Sequence, residues 1–449
     1  MRQVRDRVFI AVLVLSVVSS TSVALLAVSG AFGRPTAQLV SGGGDFTSSG
    51  AATTTAGGSS GSGGGGGGGS SQGGQSNGVT HDTITIGAIY SESNGIDATV
   101  EQHTVEACFN YYNSRGGING HQLKLVSYDD GLNGDQAYAE AARLDQQNHV
   151  FAIVGWLAPF GEARAAPYFE SKGIPIIGGL GVPEEFNSRY SFPVSPIFYR
   201  DGYLFGQYAT RAGGPLHFKH PGVFLTQTAG INDVANGMKA GAKSNGVTIN
   251  NNDVIFVPFA ATNFDQYLLQ FQQEGVDGLI TQLDPFSYVR LYQSEQRTNK
   301  LFPHLGGAGI DKQSVDSAIG RPLVGTYSFM PVLEAQGNPA GNAEVALYNQ
   351  VASSYISRHP PDSPANMDAF SEGSWVACRV FAQGLAKLGA NVTREGLVQA
   401  LSHGVYSVGG MAPPFNWGAA GSSHAAANCA SFIQYTSSQQ WKIVQGFTC

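Results

Sequence analysis

The chain has 449 residues, a net charge of −7, ten histidines and four cysteines. That charge, with no cluster of Lys or Arg in residues 81–449, excludes a nucleic-acid partner. Composition divides the chain: residues 81–449 are long enough for two lobes with separate cores, whereas residues 1–80 are a leader followed by a low-complexity tract.

Arg2, Arg5 and Arg7 precede an uncharged apolar run at 8–28. A basic start before such a run reads as an export signal with the N-terminus inside. The run is just long enough to span a bilayer, and Ala27-Val28-Ser29 offers a small-residue cleavage site. Residues 1–30 are therefore a signal peptide or a transmembrane anchor. No cysteine precedes Cys108, which excludes a lipoprotein anchor. Residues 31–80 read as a disordered linker. From 41 to 78 it is mostly Gly and Ser, with seven consecutive glycines at 63–69 and Asp45 as its one charge. Such a segment cannot bury enough surface to fold. As a flexible tether it has a root-mean-square span of roughly 35 Å.

From residue 83 onward, short β-branched runs alternate with longer helical patterns. Strands are predicted at 83–89, 122–128, 151–155 and 174–177, with helices at 98–114, 135–147 and 162–172 between them. The alternation continues with strands at 222–226, 254–257 and 278–281 and helices at 234–244, 264–274 and 285–297. This is the pattern of parallel sheets built from right-handed βαβ units. The units are too numerous for one compact sheet, so two lobes are expected, with ligands at the carboxyl ends of the strands. Residues 340–358, 367–388 and 393–401 read as helices, the last capped by Thr393. A hairpin is predicted from strands at 430–435 and 441–446.

Four segments in order carry a family resemblance: ITIGAIY (84–90), NSRGGINGHQLKLVSYDD (113–130), AEAARLDQQNHVFAIVGWLAP (139–159) and FESKGIPIIGG (169–179). The chain resembles the leucine/isoleucine/valine-binding family, the periplasmic-type solute-binding proteins of ABC importers, over residues 82–449. The resemblance implies a type I, two-lobed α/β fold in which each lobe is a parallel sheet flanked by helices and three crossing strands form the hinge. The crossings are expected near 195–201, 325–331 and 409–416. Lobe 1 is then about 82–198 plus 327–410. Lobe 2 is about 199–326, with the hairpin at 430–446 near it.

The family holds its ligand largely on two loops of lobe 1, one after the strand ending at Gly155 and one after the strand ending at Ile177. Branched-chain binders have Ser in the first loop and an Ala-Ala-Thr-like run in the second. Pro159 and Leu180-Gly181-Val182 stand at those places here. Pro159 has neither hydroxyl nor N–H, and Val182 has the shape of threonine without its donor. A buried carboxylate needs several donors, so the resemblance implies an altered pocket and a ligand other than leucine, isoleucine or valine. Further candidates follow strand ends. Trp156 and Phe160 can stack on a ligand, Trp156 alternatively packing between the lobes. Gln227 and Ala229, then Gln282, Asp284 and Phe286, face from lobe 2. Asp311 takes the place of an acid that receives a ligand amine, and Tyr90, Ser91 and Glu92 follow the first strand. Asp284 and Asp311 have a second reading, as helix N-caps.

Cys429 and Cys449 flank the hairpin, and a bridge there would staple the C-terminus. Cys108 and Cys378 lie in two predicted helices, as a bridge or as buried thiols. There is no HExxH, no metal-ligand spacing and no GxxxxGK. Matches to GxSxG at 57–61 and GxGxxG at 61–66 fall in the Gly/Ser tract, without the strand or helix those motifs need. The expectation is a monomeric, extracytoplasmic solute-binding protein, not an enzyme, without cofactor or metal. It would close on an amino acid or a related small acid or amide and serve a membrane ABC permease. The alternative is a sensing ectodomain that signals through a separate partner.

Overall fold

The computed structural model describes residues 77–94, 96–186, 188–420 and 428–449. The expected leader lies outside these residues, as does the expected linker except for 77–80, where Val79 bridges Ile84. Among the described residues, no helix is long and apolar enough to cross a membrane.

The first sheet is built from β1 (Thr83–Tyr90), β2 (Gln122–Asp129), β3 (Ile153–Val154), β4 (Ile176–Ile177) and β5 (Ser191–Phe192). All its pairings are parallel, in the order β2-β1-β3-β4-β5. Between these strands run α1 (Thr99–Asn113), α2 (Gly134–Gln146), α3 (Glu162–Ser171) and the short α4 (Pro183–Phe186). The Asn133 side chain caps α2 by accepting the Asp135 and Gln136 N–H groups.

The chain then enters the second lobe through α5 (Phe198–Thr210). There follow β6 (Pro221–Thr226), α6 (Ile231–Ser244), β7 (Val254–Val257), α7 (Asp265–Glu274), β8 (Gly278–Gln282) and α8 (Pro285–Arg297). Then come β9 (His304–Gly306), α9 (Gln313–Ile319) and β10 (Tyr327–Met330). The helices α10 (Ala343–Ile356), α11 (Ala369–Ala386) and α12 (Arg394–His403) return to the first lobe, and β11 (Ala430–Tyr435) and β12 (Trp441–Thr448) close the chain. The second sheet runs β12-β11-β10-β9-β8-β6-β7. It is parallel from β7 to β10, and the hairpin β11–β12 extends it with antiparallel pairings.

Two lobe boundaries differ from expectation. The strand β10 was assigned to lobe 1 but pairs with β9 and β11 in the second sheet, so the chain recrosses after Met330. Residues 409–416 do not cross: Leu333 donates its N–H to Met411 O, and Tyr406 bridges Phe415. Trp417 still donates its indole N–H to Pro193 O in the first lobe. The chain is next found in the second sheet, at β11.

Of the 18 residues of α11, 13 are buried, so this helix is apolar nearly all round and lies inside the first lobe. The Cys108–Cys378 disulfide ties it to α1, and Cys429–Cys449 joins the two ends of the terminal hairpin. In the second lobe, α5 and α6 touch backbone to backbone. A Cβ on Gly206 would lie 2.0 Å from Met238 O, and one on Gly241 would lie 2.0 Å from Tyr203 O. This close seating turns the opposite face of α5 toward the first lobe. Gly206→Ala is expected to lower the urea midpoint, at a cost of about 1–3 kcal/mol; an unchanged midpoint would show that the helix pair tolerates separation.

Candidate functional site

In a parallel sheet, strand ends leave loop amides without a ladder partner, and helix N-termini point the same way. The carboxyl ends of both sheets face a common cavity of ≈ 170 Å³. The first lobe supplies Trp156, Leu157 and Pro159 after β3, Gly178–Leu180 after β4, and Ala369, Phe370 and Ser374 of α11. Thr226 and Thr228 follow β6, Gln282–Pro285 follow β8, and Ala308 follows β9. The crossing segments add Ser195, Pro331 and Val332, and α5 adds Phe198, Asp201 and Phe205.

Five expected residues therefore meet at one cavity: Trp156, Pro159, Leu180, Gln282 and Asp284. Asp284 is also the N-cap of α8. Its oxygens accept from Ser287 N, Ser287 Oγ, Thr226 Oγ1 and Ala260 N, so the carboxylate is occupied by the fold. Trp156 is buried, with its ring edge-on to Phe169 at 5.8 Å. Seven expected residues lie elsewhere. Tyr90 and Val182 are fully buried, Gln227 is exposed, and Phe160, Ala229, Gly181 and Asp311 do not line the cavity. Ser91 is held by Asp130. Glu92 and the 54% exposed Phe286 line an open groove that shares Ile96 and Asp97 with the cavity. Asp311 does act at a helix N-terminus, though of α11 and not of its own helix: it accepts the Ala369 N–H at 2.9 Å across the lobes.

Three loop amides beside the cavity are already taken by side chains of the fold. Glu162, at the start of α3, accepts Ala158 N–H at 3.1 Å and Leu180 N–H at 2.8 Å. Glu185 of α4 accepts Gly181 N–H at 3.0 Å. Both acids are fully buried. Burial raises the proton affinity of each, and the neighbouring Glu162 charge raises that of Glu185 further. The Trp156 indole N–H is near enough to Glu185 to favour its ionised form, yet no well-formed hydrogen bond joins them. Gly181 has φ +97°, and a Cβ there would lie 2.3 Å from Pro196 O. Any side chain at 181 is a folding lesion before it is a binding lesion. Gly181→Val is expected to lower the thermal midpoint of the empty protein; an intact midpoint with lost binding would return this loop to the site.

Charged groups join the lobes beside the cavity. Lys312 in the second lobe pairs with Asp368 at 3.3 Å and Glu101 at 3.8 Å in the first. Burial alone would lower its proton affinity, but Asp368 and Glu101 more than offset this. Nearby, Asp311, Glu334 and Glu372 bring carboxylate oxygens within 4.8 Å of one another. Among the described residues, this is the group convergent enough to hold a cation. Glu334 Oε2 and Glu372 Oε2 have no hydrogen-bond partner. Burial and mutual repulsion raise all three pKa values, and burial pushes Asp316 up to about 8.

Unfolded carboxyls titrate near pH 4. Above that pH, the folded chain keeps protons that the unfolded chain has lost. The stability these acids contribute is present in full below about pH 4 and is lost as pH rises through the raised folded values. The thermal midpoint should therefore be higher at pH 5 than at pH 8, and Glu334→Gln with Glu372→Gln should flatten the slope. A midpoint that rises with pH would mean the cluster is neutralised by something other than protons.

Aromatic and hinge residues at the cavity escaped sequence reading. Phe198, Asp201 and Phe205 share one face of α5 at helical spacing, a periodicity present in FYRDGYLFGQY (198–208). Glu162 and Glu185 had only a weak signal, an acid in the first turn of a helix.

Comparison with known proteins agrees with this geometry. A family model described as periplasmic binding protein matches residues 83–440. An amino acid binding protein of Pseudomonas aeruginosa is 38% identical over 65 residues, 14% of this chain and only 17% of that protein's length. A fatty acid ABC transporter substrate-binding protein from Thermomonospora curvata superposes with TM-score 0.69 at 18% identity, covering 83% of this chain and 94% of that one. A branched-chain amino acid transporter substrate-binding protein of Streptococcus pneumoniae, solved with isoleucine, gives TM-score 0.66 at 17% identity over 81% and 100%. A solute-binding protein of R. palustris, solved with benzoate, gives 0.65 at 15% over 82% and 98%.

Proposed function

Because the chain belongs to the periplasmic binding protein family, we propose that it is the extracytoplasmic receptor of an ABC importer and takes its solute into the cavity between the lobes. The carrying observation is that cavity, at the carboxyl ends of the strands of both sheets and lined by both lobes and by crossing segments. A molecule seated there touches both halves, so binding favours the state in which they are together. The apolar leader and the Gly/Ser tract would keep the receptor near the membrane that holds its permease.

The cavity is the size of a small ring compound or a short aliphatic chain: an engineered cavity of about 150 Å³ accommodates benzene. Its walls are mainly apolar. The structural neighbours include a fatty acid ABC transporter substrate-binding protein and proteins solved with benzoate and with isoleucine, so this scaffold accommodates chemically different small molecules. An acid held in the manner of the branched-chain binders fits poorly here, because Glu162 and Glu185 occupy the amides that would receive it.

A thermal-shift screen of the protein against amino acids, aromatic and aliphatic acids, amides, amines and small sugars tests this reading. A ligand at 100 times its Kd adds about 2.7 kcal/mol, which raises the midpoint of a domain of this size by roughly 3–4 °C. A shift from any small solute, lost on Gly373→Trp at the cavity wall, supports the cleft as the binding site. If leucine or valine binds best, the occupied amides are not a barrier. If nothing in the panel shifts the midpoint, the receptor reading fails.

A further inference from the structure

The polar character of the cavity is one-sided. Its charged lining residues are Asp97, Glu101, Asp201, Asp284 and Lys312, four acids against one base. The base is spoken for: Lys312 already faces Asp368 and Glu101. Asp284 is saturated by the N-terminus of α8 and by Thr226, and Asp97 accepts from Thr99 N and Oγ1. Glu101 has Lys312 as its counter-ion.

Asp201 is different. It sits in the first turn of α5, and its Oδ1 atom is fully buried with no hydrogen-bond partner. Among the described residues, no ion pair reaches it. The adjacent Arg200 turns away, donating to Asn428 O and lying over the Tyr203 ring. Burial alone, with no neighbouring charge, raises its proton affinity well above that of an ordinary carboxyl. Such a group is costly to keep in an apolar wall unless something else completes it. Its surroundings are aromatic. Phe198 and Phe205 flank it on the same helix face, and Trp156, Phe259, Phe329 and Phe370 also line the cavity.

A half-buried acid with one partnerless carboxyl oxygen, in a cavity lined by aromatic residues, is suited to an organic cation: the carboxylate supplies the counter-charge and the ring quadrupoles attract the ammonium. We propose that the ligand is a small apolar amine, carried as its ammonium ion, with Asp201 as its anchoring residue. This rests on the cavity being the binding site. On binding, the Asp201 carboxylate pairs with the ammonium, while the apolar body of the ligand fills the aromatic part of the chamber. The occupied Leu180 and Gly181 amides fit the same picture, since an amine without a carboxylate makes no demand on them. Asp311, the acid that family resemblance would assign to an amine, does not line the cavity and is bonded to Gly309 and Ala369 N–H groups instead.

The test is calorimetric titration of the full chain with three molecules of one shape: 2-phenylethylamine, 2-phenylethanol and phenylacetate. The amine is expected to bind at least about tenfold more tightly than the alcohol, with phenylacetate weakest. Asp201→Asn should weaken the amine by about 100-fold or more and the alcohol little. The thermal midpoint of the empty variant should be unchanged or higher, because a lone buried acid has been removed; Asp201→Leu provides a second variant with no polar atom. Tighter binding of phenylacetate, or amine affinity unchanged in both variants, overturns the assignment. If the amine fails while acids, amides or sugars bind in the cleft, the ligand class is wrong and the receptor reading stands. If no solute of any class binds, both fail.

Discussion

The structure is organised around a constraint at the carboxyl edge of a parallel sheet. Loop amides there point into a cleft, have no strand partner and must be satisfied by something. In the first lobe the satisfying groups are internal: Glu162 takes Ala158 and Leu180, and Glu185 takes Gly181. The two acids come from the N-termini of α3 and α4, which favour negative charge. They hold the loops after β3 and β4 in one arrangement and leave mainly apolar surface toward the cavity, with the Trp156 indole N–H unpartnered. The strained Gly181 backbone, pressed against Pro196, belongs to the same arrangement.

A second polar assembly stands between the lobes. Lys312 and Asp311 leave the second lobe together and enter the acids and amides of the first: Asp368, Glu101 and the N-terminus of α11. The assembly is short of positive charge, and raised proton affinities make up the difference. Association of the lobes is in this way coupled to protonation near the cavity. Membership of the family explains why two sheets meet; these acids explain why the meeting point has the polarity it has.

Much of the fold was legible in the sequence, because periodicity is a local property. Strands such as Val254–Val257 and helices such as Pro285–Arg297 follow from apolar spacing and flanking signals, and both appear with the expected bounds. The short β3 and β4 have two residues each, although backbone bonds continue beside them: Phe151 N–H donates to Thr85 O and Gly155 N–H to Ile177 O. The chain's turn from one lobe to the other was less legible. Nothing local distinguishes β10 as a member of the second sheet, because its partner β11 lies about a hundred residues away in sequence and supplies the pairing.

The site divides along the same line. Trp156, Gln282 and Asp284 could be named from order alone, because parallel topology places the loops after strand ends on one edge, whereas Pro159 and Leu180 came from the family resemblance. Whether a side chain at that edge is free was not written in its position. Asp284 is consumed by a helix N-terminus, Asp311 by a neighbouring lobe, and Asp201, on an unremarkable helix face, is left without a partner. The sequence by itself determined the two-lobed α/β scaffold and the edge on which a ligand would sit, since hydrophobic period and turn chemistry act over a few residues. Only the tertiary structure decided which amides are already filled and which acid is not, because hydrogen-bond satisfaction is an accounting between groups far apart in the chain.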